Sequence, residues 1–164
     1  MKKTFKTFLL EKMFHVSKKP VLFRDLLEAN AEFNEGMLVD PSKLNFKFQY
    51  GKSYILFGFF AFLILVPTIF LTHAFFTKID IHLSLLAVII ATSAVFIGFD
   101  CFKAWARKEL THNLIKKAWE NHFLYFPYAK YSNIVKELYD EAVKNEIPKR
   151  DLEKYILDRL VQGK

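Results

Sequence analysis

Two apolar blocks separated by only four residues constrain this chain more than any other feature. The first covers residues 53–76 and the second 81–102. Each is about the 20 residues that an α-helix needs to cross roughly 30 Å of hydrocarbon. A connector of Thr77, Lys78, Ile79 and Asp80 has room only for a tight turn, so the two helices are expected to lie antiparallel and side by side. The predicted fold class is an all-α membrane protein: a two-span transmembrane helical hairpin whose long second helix extends into a small cytoplasmic helical cluster. Three segments follow: an N-terminal cytoplasmic tail (1–52), the hairpin (53–102) and a C-terminal helical region (103–164). Neither tail is large enough to bury a generous core alone, which favours association with a partner.

Charge sets the orientation. The chain carries 24 Lys and Arg against 17 Asp and Glu, a net +7. Lys43, Lys47 and Lys52 precede the first span and Lys103, Arg107 and Lys108 follow the second, whereas the connector is neutral. By the positive-inside rule both termini face the cytoplasm. Cations interspersed with carboxylates, and no recognisable binding motif, argue against nucleic acid. The expected acidic partner is the anionic headgroup layer, with Phe5, Phe8, Lys52, Lys103, Trp105, Arg107 and Lys108 as interfacial anchors. A lone cysteine, Cys101, excludes an intrachain disulfide or a cysteine-based zinc site and fits a reducing compartment. Lys2, Lys3 and Lys6 resemble the start of a secretory signal, but Glu11, Lys12 and His15 interrupt the apolar run it would need. Heavy use of Phe, Lys, Ile and Asn suggests an AT-rich bacterial coding sequence, and the bacterial inner membrane is the expected location.

Local patterns organise the tails. Phe5, Phe8, Leu9, Met13 and Val16 recur at three and four residues among lysines, predicting a basic amphipathic helix over 4–16. It either lies in the membrane interface or packs on the rest of the tail. A second helix is expected after Pro20, stopped by Gly36. Residues 44–50 alternate apolar and polar, which argues for an extended segment that pairs with another chain or leads into the first span; a helix capped by Asp40 is the alternative there. Pro67 is expected to bend the first span, as shape rather than as a gate. The second span should run on through Trp119 and His122 to Phe126, a helix of about 45 residues and nearly 70 Å. Two shorter helices follow, the last one starting at Pro148.

Within the second span Ser84, Ala87, Ala91, Ala94, Gly98 and Cys101 recur every three or four residues, a seam along which another backbone can approach closely. Gly58 and Ala61, with Thr68 and Thr72, give the first span a looser counterpart. The short connector favours mating of the two seams inside the hairpin; contact with another subunit is the alternative.

Chemistry is sparse. Glu109 and His112 have the spacing of a carboxylate-bridged di-metal site, but such a site needs two pairs and only one is present. Asp100 is the single carboxylate inside a span, and burying one there is expensive. Its closeness to Lys103 favours an interfacial ion pair over a proton relay. No catalytic constellation or phosphate loop can be assembled, so neither enzymatic activity nor a cofactor is expected. The chain reads as an accessory, scaffold or assembly subunit of a larger membrane complex. Alternatives are a self-assembling homo-oligomer, acting as a pore or transport element, and a membrane-surface module acting on anionic lipid.

Overall fold

The computed structural model describes residues 5–76 and 81–163, which form six α-helices and one small ribbon. In chain order these are α1 (Phe5–Met13), β1 (Phe14–Val16), α2 (Phe23–Asn34), β2 (Phe46–Phe48), α3 (Tyr50–Phe76), α4 (Ile81–His122), α5 (Tyr128–Lys144) and α6 (Leu152–Val161). The connector expected to be a tight turn lies outside the described residues. Two compact units result, and neither is a single stretch of sequence. One comprises Met1–Phe14 with Phe48–Arg107, the other His15–Lys47 with Lys108–Lys164.

In the first unit α3 and α4 are both long and apolar enough to cross a membrane, and no residue in the most apolar stretch of either is buried within the chain. A core helix of a water-soluble domain would be mostly covered by its own fold. α3 runs uninterrupted through Pro67, where the Thr68 hydroxyl donates to the Ile64 carbonyl at 2.7 Å. α1 packs on α3 through Leu9, Leu10 and Met13. The last carbonyls of a helix have no partner inside it, and here the Met13 carbonyl accepts the Gln49 N–H at 2.8 Å and the hydroxyl of fully buried Ser53 at 3.4 Å.

The ribbon corrects two expectations. The first helix stops at Met13, three residues before the predicted end, and residues 14–16 become β1. They pair with β2, so the extended segment finds its partner within the chain. Ser17 N–H donates to the Asn45 carbonyl and Gln49 N–H to the Met13 carbonyl, a partner order that makes the strands antiparallel. Periodicity misjudged the stretch because Val16 fits both the helical spacing from Met13 and the alternation Phe14, Val16. Only Phe46–Phe48 of the predicted extended segment is strand, and Tyr50 already opens α3.

The second unit packs α2 against α5 and α6, and α6 against α5, with the last turns of α4 completing it. Leu26 and Leu27 from α2, Ile115 and Trp119 from α4, Val135 and Ala142 from α5 and Ile156 from α6 are buried at helical spacings. Asn30 is wholly buried among them, its amide donating to the Ser132 carbonyl at 2.8 Å. α4 ends at His122, four residues short of expectation. The Phe126 N–H turns back to the Phe123 carbonyl and the Trp119 indole donates to the Phe126 carbonyl, closing a loop before Pro127. A residue ahead of proline is disfavoured in the α region, which helps end the helix there. Pro148 opens a turn rather than a helix: the Asp151 N–H reaches its carbonyl, and α6 starts at Leu152.

Candidate functional site

The small-residue seam is the first candidate, and it does not mate along its length within the hairpin. Ser84 is buried and Ala87 and Ala91 are half-buried, but Ala94, Gly98 and Cys101 are exposed. On α3, Ala61 is half-buried and Gly58 exposed. A Cβ added at Gly58 or Gly98 would meet no atom within 4 Å. Mating inside the hairpin, the expectation from the short connector, is therefore corrected for Gly58, Ala94, Gly98 and Cys101. Large rings bridge α3 and α4 instead: Phe57 meets Phe99 at 4.1 Å and Phe96 at 5.3 Å between centroids, and Tyr54 meets Phe99 at 6.0 Å.

Helix geometry explains the divergence. From Ser84 to Cys101 the seam takes five steps in 17 residues, and at about 100° per residue that falls roughly 100° short of five turns. On a straight helix the seam winds away from any single neighbour. Phe96 and Phe99, rather than Ala94 and Gly98, meet α3 at this level, which leaves the small residues on an uncovered face.

The expected interfacial anchors fall in both units. Phe5, Phe8, Lys52 and Trp105 are exposed, and Lys103 and Arg107 half-buried, in the first unit; Lys108 is exposed in the second. Lys6 places its ammonium 5.6 Å from the Trp105 ring centroid, a link between α1 and α4. Asp100 is exposed and accepts Lys103 Nζ at 2.6 Å, one turn along the helix.

The one-turn pairing of Lys136 with Asp140 follows from their i,i+4 spacing and is present at 2.7 Å, but sequence reasoning missed the ion pairs that tie lysines to the carboxylates of α2. Lys43 lies between Glu28 and Glu32, and Lys136 between Glu35 and Asp140. Burial opposes the charge on Lys43, yet the hydrogen bonds its ammonium donates to both carboxylates, together with their charges, outweigh it, so this amine titrates above the ordinary lysine range. Lys136 is likewise raised, by its hydrogen bonds to Asp140 and Glu35. Burial raises the phenols of Tyr128 and Tyr139. The one-turn spacing of Glu28, Glu32 and Glu35 was legible, but the lysines that meet them are remote in sequence. Between α2 and α5 the carboxylates Glu28, Glu32, Glu35 and Asp140 line a shallow cavity of about 430 Å³, with Tyr139 and Val143 on its α5 side.

Glu109 and His112 both belong to the second unit. His112 stacks on Phe33 with centroids 5.2 Å apart, and among the described residues no three His, Cys, Asp or Glu side chains converge. His122 Nε2 donates to the Val21 carbonyl at 2.8 Å. Comparison with protein-family models, with curated proteins and with solved structures finds no match to this chain.

Proposed function

We propose that this chain is a non-enzymatic accessory, scaffold or assembly subunit of a larger complex in the bacterial inner membrane, with both termini cytoplasmic. α3 and α4 cross the bilayer as a hairpin, and a helix of another subunit docks on the face of α4 that carries Ala94, Gly98 and Cys101. The observation that supports this reading is the open space beside Gly98 on a small-residue face that the chain itself leaves uncovered. In hydrocarbon, where lipid tails are as apolar as leucine, helices associate where small residues let backbones approach and pack. Two long apolar helices with no residue of their most apolar stretches buried by their own fold fit lipid and a partner helix as the missing cover. The second unit then engages a cytoplasmic part of the same assembly.

The test is the native mass of the tagged chain, solubilised from its own membranes, together with the identity of every co-purifying chain. A stoichiometric foreign partner is expected. Gly98→Leu should release that partner without changing yield or helicity, because its side chain projects into space the chain leaves empty. A complex of this chain alone that Gly98→Leu dissociates would replace the accessory reading with homo-oligomeric assembly. A monodisperse monomer that retains nothing would overturn both.

A further inference from the structure

Helix α1, the start of α3 and one turn of α4 bring cations and rings together in the first unit. The stripe Phe5, Phe8, Lys12 on α1 adjoins the buried Leu9, Leu10 and Met13, yet Phe5 and Phe8 remain 64% and 44% exposed. The helix thus carries more apolar surface than α3 covers. Lys12 holds its ammonium 5.6 Å from the Phe8 centroid and Lys6 the same distance from Trp105, itself 46% exposed. Lys103, the partner of Asp100, also lies 5.0 Å from the Phe99 centroid. Among the described residues of this unit five cations (Lys6, Lys12, Lys52, Lys103 and Arg107) face two carboxylates, while residues 53–76 and 81–99 carry no Lys, Arg, Asp or Glu.

We propose that this surface binds the headgroups of anionic phospholipid, with α1 lying in the plane of the interface. The inference rests on the reading of α3 and α4 as spans. Exposed Phe5 and Phe8 enter the acyl boundary, the lysine stems run along the rings, and the ammonium groups reach the phosphates. Charge complementarity selects the occupant: a net +3 of side chains beside two uncharged apolar stretches matches a negatively charged headgroup layer. The two hydrogen bonds on the Met13 carbonyl tie α1 to the start of α3, so the rings and cations are presented together.

The experiment reconstitutes the full chain in phosphatidylcholine vesicles and quenches tryptophan fluorescence with chain-brominated phosphatidylcholine or phosphatidylglycerol. Trp105 reports contact, because Trp119 is 2% exposed and supplies a constant background; Trp105→Phe should remove the lipid-dependent signal. The brominated phosphatidylglycerol is expected to compete at least about fivefold better at low salt, the advantage one interfacial lysine confers. The double variant Lys6→Gln, Lys12→Gln should lower that preference at least threefold while zwitterionic quenching persists. Equal quenching by both lipids, or a preference the double variant leaves unmoved, overturns the proposal and leaves the spans standing. Quenching by neither lipid overturns the bilayer reading and the proposal with it.

Discussion

At the residue scale the second unit is held by polar groups that meet across long sequence separations. Asn30 on α2 reaches the Ser132 carbonyl on α5, and its own side-chain oxygen accepts the Asn34 amide. A buried amide so placed is costly to leave unpaired, so it fixes the register of the two helices. Lys43 acts similarly between Glu28 and Glu32. Its amine titrates higher folded than unfolded, so the stability it contributes is complete below the ordinary lysine range and disappears as pH rises through its raised value. Lys43→Met is accordingly expected to lower stability by a constant margin at neutral pH, and the margin should close at strongly alkaline pH. Denaturant midpoints of both proteins across that range measure it. The i,i+4 spacing of Glu28 and Glu32 could be read directly from the sequence, but their cation sits beyond a turn and a loop whose path no local pattern specifies.

At the scale of elements, the ends of α2 and α5 share one device with opposite residue choices. After α2 the Gly36 N–H bonds the Phe33 carbonyl and the Met37 N–H the Glu32 carbonyl, with Gly36 at φ +78°. After α5 the Glu146 N–H bonds the Val143 carbonyl and the Ile147 N–H the Ala142 carbonyl, with Glu146 at φ +52°. The left-handed conformation suits glycine and costs other residues about 1 kcal/mol. Gly36→Ala should therefore destabilise the second unit by about 1 kcal/mol, through conformation alone, since its Cβ would meet nothing within 4 Å. Glu146→Gly should stabilise it by about 0.5–1 kcal/mol, reduced by the added freedom of the unfolded chain. Denaturation followed through Trp119 fluorescence reads both. Gly36 announced its stop in the sequence because glycine favours that position, whereas glutamate at the same geometry gives no signal. The boundary between α1 and β1 gives none either, because Val16 satisfies both periods at once.

At the scale of the whole molecule, the chain enters the second unit through β1, leaves it through β2 and returns along α4, so each unit is assembled from two separated segments. A fragment of residues 103–164 keeps α5 and α6 but loses α2, which packs on both. It should be helical yet melt without a cooperative transition, whereas joining residues 15–47 to it should restore one; circular dichroism during heating distinguishes the two. The sequence by itself determined the two long apolar helices, the basic flanks and the helical character of the tails, because hydropathy, charge and 3.6-residue periodicity are local properties. Only the tertiary structure decided which face of α4 stays open, because the seam drifts by an angle that matters only once a neighbour is in place. It alone decided, too, that the strand has an internal partner and that Lys43 and Lys136 close the carboxylate row of α2. Those outcomes depend on contacts between residues far apart along the chain, and no window of sequence contains both partners.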